Sequence, residues 1–188
     1  MFTPEKMLGG LLLAAFMSST AFAQSVSNRY GFGAEIGPQD LAKYFAIAPD
    51  GRGLPPGGGT AAAGAKVFAE NCAACHGDKL QGNPEKGIGG DRLLGGRGTL
   101  ATTMPIKTVE SYWPYATTLF DYVKRAMPFS APGSLSDDDV YSVVAYILSE
   151  AKIIKPTDAI NAQTLPKVGM PNRDGFIPDV RPELQLYR

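Results

Sequence analysis

Both cysteines of the 188-residue chain and its single histidine fall in one pentapeptide, Cys72-Ala73-Ala74-Cys75-His76. Almost all the soft ligand chemistry of the chain is thus confined to one turn of backbone. A disulfide between Cys72 and Cys75 would close only a tiny loop and leave the histidine unexplained. A redox C-x-x-C of the thioredoxin kind opens a helix after a strand, whereas the residues ahead of this motif, Gly64 to Asn71, read as helix. Structural zinc takes four ligands, and Cys72, Cys75 and His76 supply three, crowded together. The pattern C-x-x-C-H is instead the attachment signature of c-type haem. Two thiols on one helical turn can each add to a haem vinyl group, and the next residue presents its imidazole to the iron.

The start of the chain has the form of a cleaved export signal. Lys6 precedes an apolar run from Met7 to Met17, and small residues follow, ending in Ala21-Phe22-Ala23. This arrangement predicts cleavage after Ala23 and a periplasmic mature protein. The run is too short to span a bilayer, which needs roughly 20 apolar residues, so no membrane span is expected once residues 1–23 are removed. Lys+Arg and Asp+Glu number 18 each, for a net charge of zero. Such a chain lacks the positive field that nucleic-acid binding requires. Its 22 glycines and 15 prolines favour long irregular segments, while 44% hydrophobic content supports one packed core.

The other axial ligand is a matter of elimination. A second histidine does not exist, and both thiols are used on the vinyls, leaving methionine, an amine or an open site. Three methionines follow Ala23, namely Met104, Met127 and Met170, and each precedes a proline. The helix pattern places them. One helix is predicted from an N-cap at Thr60 through Phe68 into the C-x-x-C-H motif, followed by loop from Gly77 to Leu100. A second covers Thr117 to Ala126, with Leu119, Phe120, Val123 and Ala126 at helical spacing, and stops because Pro128 disfavours the helical conformation at Met127. A third starts from a capping-box-like Ser136 with Asp137 to Asp139, carries Val140, Val143, Val144, Ile147 and Leu148 on one face, and ends near Lys152. The three acids are best explained by the helix dipole rather than as a docking patch.

With these features the chain resembles the class I c-type cytochromes. Gly64 and Phe68 precede Cys72 to His76, Met127-Pro128 supplies a loop methionine followed by proline, and Tyr146 lies in the amphipathic last helix. The resemblance covers Thr60 to Ile154. It implies an all-α class I cytochrome c fold around one covalently bound haem c, with the first and last helices crossing near Phe68 and Tyr146. It makes Cys72 and Cys75 the thioether residues and His76 and Met127 the axial ligands. Iron closed by histidine and methionine passes single electrons, with no catalytic site of its own. The division it suggests is 1–23 signal peptide, 24–59 N-terminal extension, 60–154 monohaem domain and 155–188 C-terminal arm.

The two extensions carry aromatics, among them Tyr30, Phe32, Tyr44, Phe45 and Phe176, which are scarce in disordered segments. They are read as arms that wrap the domain or hold a partner. The runs from Tyr30 to Gly33, Asp50 to Gly57, Ser111 to Tyr122 and Met170 to Asp179 are similar to the cytochrome subunits of bacterial sulfane and sulfite dehydrogenases, the SoxD-like group. That resemblance implies a molybdenum-containing dehydrogenase subunit as electron donor and another cytochrome c as acceptor. Some sulfane dehydrogenase cytochromes carry two haems, whereas this chain has a single C-x-x-C-H, which leaves sulfane or sulfite open as substrate. The alternative is a catalytic haem enzyme with a labile sixth ligand, acting on thiosulfate or peroxide. Arg92 and Arg97 are candidate partners of the haem propionates. His76 Nδ1 is expected to donate to a carbonyl between Gly82 and Leu94, and Tyr112, Trp113 and Tyr115 to form core or to cover the haem edge.

Overall fold

The structure is a computed structural model that describes Gly37, residues 47–83 and residues 89–177. The signal segment 1–23 and the aromatics Tyr30, Phe32, Tyr44 and Phe45 lie outside the described residues.

Helix α1 (Ala61–Asn71) starts where expected. Thr60 is extended, and its hydroxyl accepts the backbone N–H of Ala63 at 3.3 Å, satisfying one of the helix's orphan donors. The helix does not run unbroken into the motif. Cys72 leaves helical geometry, with φ −127 and ψ −36, and a single further turn, α2 (Ala73–His76), follows. Gly77 closes that turn at φ +75, a conformation open to glycine. Helix α3 (Ala116–Ala126) buries Leu119, Phe120 and Val123. It ends at Met127, which is extended before Pro128 at φ −124 and ψ 149, because the proline ring crowds the helical conformation of the residue before it.

Helix α4 (Asp137–Glu150) opens with a reciprocal cap. The Ser136 hydroxyl accepts the Asp139 N–H at 3.2 Å and donates to the Asp139 carboxylate at 2.6 Å. Asp137 pairs with Lys124 at 2.7 Å, and Asp138 accepts the N–H of Gly58 at 2.8 Å. All three acids therefore have partners within the fold, besides their favourable place at a helix N-terminus.

Every residue of α4 from Val140 to Ala145 is buried, more than one face of an amphipathic helix would bury. The reason is its position: α1, α3 and two short strands all pack on it. Phe68 of α1 meets Tyr146 of α4 with ring centroids 5.3 Å apart, and Phe120 of α3 meets Tyr141 at 4.4 Å. The strands are β1 (Gly58–Thr60) and β2 (Ala159–Asn161), paired antiparallel with Gly59 opposite Ile160. This small ribbon is an addition to the expected all-α class. Glycines in one partner and three residues in the other leave no alternating pattern from which to read it.

The described parts of the arms, from Ile47 to Thr60 and from Lys155 to Phe176, thus pack on the core. Before β1, Ile47 donates its N–H to Asp121 of α3 at 3.0 Å, and Tyr141 of α4 donates its hydroxyl to Pro55 O at 2.8 Å. After β2, a 3₁₀ turn (Leu165–Lys167) buries Leu165 completely, and Met170 is buried beyond it. Asn172 donates its side-chain amide to Tyr112 O at 2.7 Å, and the Tyr112 and Phe176 rings meet edge to face at 5.1 Å. Among the described residues no helix is long and apolar enough to cross a membrane.

Candidate functional site

The three soft ligands sit on one turn. Cys75 and His76 both donate their N–H groups to Cys72 O, at 3.1 and 2.9 Å, so the two thiols and the imidazole are fixed in mutual position by backbone alone. Both cysteines are free and half-buried. Burial, and to a lesser degree the neighbouring Cys75, pushes the Cys72 thiol up to about 11. The thiol therefore stays protonated at neutral pH.

His76 is oriented from behind. Its Nδ1 lies 2.7 Å from Asp91 O, within the interval Gly82 to Leu94 expected from the sequence. A carbonyl oxygen can only accept, so Nδ1 carries the proton and donates. In the neutral imidazole Nε2 is then left with its lone pair, the form in which it binds a metal. Sequence alone could not single out Asp91, because the contact is made by a backbone oxygen that every residue possesses. Its neighbour did leave a signal, the doublet Gly89-Gly90. A Cβ on Gly90 would lie 2.6 Å from Cys75 O, so only glycine lets the returning loop come this close.

The three methionines, indistinguishable by their following prolines, differ sharply in setting. Met104 is 82% exposed and Met170 only 4% exposed within the core. Met127 is intermediate, packed on the core at the end of α3, where its N–H donates to Val123 O at 3.0 Å. Cys72, Leu93, Leu94 and Met127 are each packed on the core yet still partly open.

This donor set fits a c-type haem. Two free thiols stand on one turn with an imidazole whose free nitrogen is set by Asp91, and a half-buried thioether ends a neighbouring helix. Partly open apolar side chains offer a surface for a flat apolar ring. No group of three or more His, Cys, Asp or Glu side chains suited to a bare metal ion occurs among the described residues.

Of the two candidate propionate partners, Arg97 is engaged elsewhere. Its Nε donates to Glu110 at 2.6 Å and a terminal nitrogen donates to Ala151 O at 2.5 Å, tying the loop to the end of α4. Arg92 is exposed. The aromatics also have structural partners: Trp113 packs edge to face on Tyr122 at 5.6 Å, and the Arg173 guanidinium lies 5.3 Å from the Tyr115 ring.

Comparison with known proteins agrees with this geometry. The family profile of cytochrome c oxidase, cbb3-type, subunit III matches residues 59–147. Cytochrome c6 of Picosynechococcus sp. is 39% identical over 114 residues, 60% of this chain and 87% of that protein. Thiosulfate dehydrogenase of Stutzerimonas stutzeri is 33% identical over 98 residues, 52% of this chain and 30% of that protein. The crystal structure of the sulfane dehydrogenase SoxCD from Paracoccus pantotrophus matches with a TM-score of 0.72 and 38% identity, covering 85% of this chain and 78% of that one. The chain spans only 12% of the cbb3-type oxidase subunit FixP and 30% of the thiosulfate dehydrogenase. Sequence kinship across most of a cytochrome c6 and structural kinship across most of a dehydrogenase chain lead to one conclusion: the chain belongs to the class I c-type cytochromes, a family of electron-transfer proteins.

Proposed function

We propose that this chain is an exported carrier of one covalently bound haem c. It takes electrons singly from a molybdenum-containing dehydrogenase subunit that oxidises a sulfane or sulfite substrate, and passes them to another cytochrome c. The carrying observation is the 2.7 Å contact of His76 Nδ1 with Asp91 O, on the same turn as two free thiols. In this reading Cys72 and Cys75 hold the haem through thioethers, and His76 and Met127 are its axial ligands. When bound, the haem supplies a centre that exchanges one electron at a time. The proton on Nδ1 would leave Nε2 free to bind the iron, and Met127, extended at the end of α3, would supply its thioether.

The donor assignment is supported by the SoxCD match, which reaches beyond residues 60–154 into the arms by covering 85% of the chain. Export is supported by the leader-like residues 1–23, with the mature chain beginning at Gln24. The monohaem unit is placed at 60–154, flanked by the arms 24–59 and 155–188.

Expression of the full chain in a host with cytochrome maturation machinery tests the assignment. A haem stain on a denaturing gel is expected for the wild type and lost in the Cys72→Ala, Cys75→Ala double variant; a colourless wild-type product overturns it. Reduction of the purified protein by a sulfite- or sulfane-oxidising molybdenum enzyme tests the donor. The match to a thiosulfate dehydrogenase favours a second reading, a haem enzyme with a labile sixth ligand acting on thiosulfate. Rapid carbon monoxide binding by the reduced protein, with thiosulfate-dependent reduction, would select it.

A further inference from the structure

The His76 imidazole is oriented by Asp91 O, and that carbonyl must itself be held in place. Asp91 is exposed and lies in the irregular stretch that begins at Gly89, while Gly77 to Asn83 form the irregular stretch after the motif. A hydrogen bond to such a loop is only as firm as the loop's attachment. Two backbone bonds hold these stretches: Gly82 N–H donates to His76 O at 2.7 Å and Leu93 N–H to Leu80 O at 2.9 Å. Neither reaches the residues immediately ahead of Asp91.

Asn83 does, and from both directions. Its backbone N–H donates to Gly90 O at 3.2 Å, and its side-chain nitrogen donates to Ala74 O at 3.2 Å. Ala74 lies inside the single turn α2, where a helix this short leaves its last carbonyls without intrahelical partners. The amide must turn its nitrogen toward that carbonyl, since only the nitrogen can donate. Asn83 therefore joins the middle of Cys72–His76 to the residue before Asp91. Glycine at position 90 also permits the close approach to Cys75 O.

We propose that Asn83 is a positioning residue for the haem ligand. By clipping Gly90 to α2 it holds Asp91 O on His76 Nδ1, and through that hydrogen bond it sets how strongly the imidazole donates to iron. This rests on His76 being the ligand. A firm Nδ1–H···O bond makes the imidazole more basic and favours the oxidised iron, so loosening it raises the reduction potential.

The test uses the full-length haem-loaded protein and the variants Asn83→Ala and Asn83→Ser, the second keeping a small polar side chain one bond shorter. Two quantities are read: exchange of the His76 Nδ1 proton by NMR in the reduced state, and the midpoint potential. Both variants are expected to retain covalent haem, to exchange that proton about tenfold faster, as loss of one hydrogen bond implies, and to show a more positive potential. Asn172→Ala removes an equivalent amide-to-carbonyl bond, to Tyr112 O, outside this loop. It is expected to lower thermal stability and leave exchange and potential unchanged. Wild-type exchange and potential in both Asn83 variants, or shifts of equal size in Asn172→Ala, overturn the proposal. Absence of haem from the wild type would instead strike the ligand assignment on which it rests.

Discussion

Gly64 of α1 rests against the backbone of Ser142 in α4, so closely that a Cβ at position 64 would overlap the Ser142 carbonyl. The Phe68 and Tyr146 rings meet one turn further along the same crossing. Glycine at 64 lets the helix axes approach, and the aromatic pair then closes the core where α1 leads into the C-x-x-C-H turn.

Substitution at Gly64 is accordingly expected to be costly. Gly64→Ala gains helix propensity of about 1 kcal/mol but forces the backbones apart, and overpacking of this kind costs about 1–3 kcal/mol or more. Because the clash is with backbone, which cannot rotate away, the net effect is destabilising. Chemical denaturation of the haem-loaded protein checks it, and Gly64→Val should be worse than alanine.

The methionines separate by spectroscopy and stability together. Met127→Ala is expected to abolish the sulfur-to-iron charge-transfer band with retention of covalent haem. Met104→Ala, at a site 82% exposed, should change neither band nor stability. Met170→Ala keeps the band but loses about 2–5 kcal/mol, the usual cost of emptying a core site. A band that survives Met127→Ala and disappears in Met104→Ala would reassign the ligand.

Alkaline stability has a defined origin in Tyr141. Burial, with smaller contributions from Asp137 and Asp138, pushes its phenol up to about 12 from an ordinary value of 10. The neutral phenol is thus favoured in the folded state, where it donates to Pro55 O. Its contribution is complete below pH 10 and is lost between pH 10 and 12, as the unfolded chain releases the proton first. Tyr141→Phe should be less stable at neutral pH by about 1 kcal/mol, with a shallower fall in stability between pH 10 and 12. Denaturation midpoints across that range measure both.

The C-terminal arm should behave as core. Leu165 has no solvent exposure, so Leu165→Ala is expected to cost about 2–5 kcal/mol even though it lies well beyond the last helix. A disordered tail would show no change in thermal midpoint.

Much of this was legible residue by residue. Thr60 and Ser136 announce α1 and α4 because a side-chain oxygen caps a helix within its own first turn. Pro128 ends α3 through its immediate neighbour. The break at Cys72 was not legible, since nothing in Asn71-Cys72-Ala73 marks a helix stop. Arg97 read as a propionate partner from its charge alone, and only the folded chain shows that Glu110 and Ala151 O engage it.

Sequence by itself determined the chemistry of the C-x-x-C-H turn: two thiols and the lone imidazole within five residues have fixed spacing on any helical turn, whatever surrounds them. Tertiary structure decided what depends on the chain's return. It buried Met170, exposed Met104 and left Met127 between, paired β1 with β2, and chose Asp91 O among many identical carbonyls to face His76. Local rules act within about one turn, whereas burial and backbone contacts between distant residues are set only when the core closes.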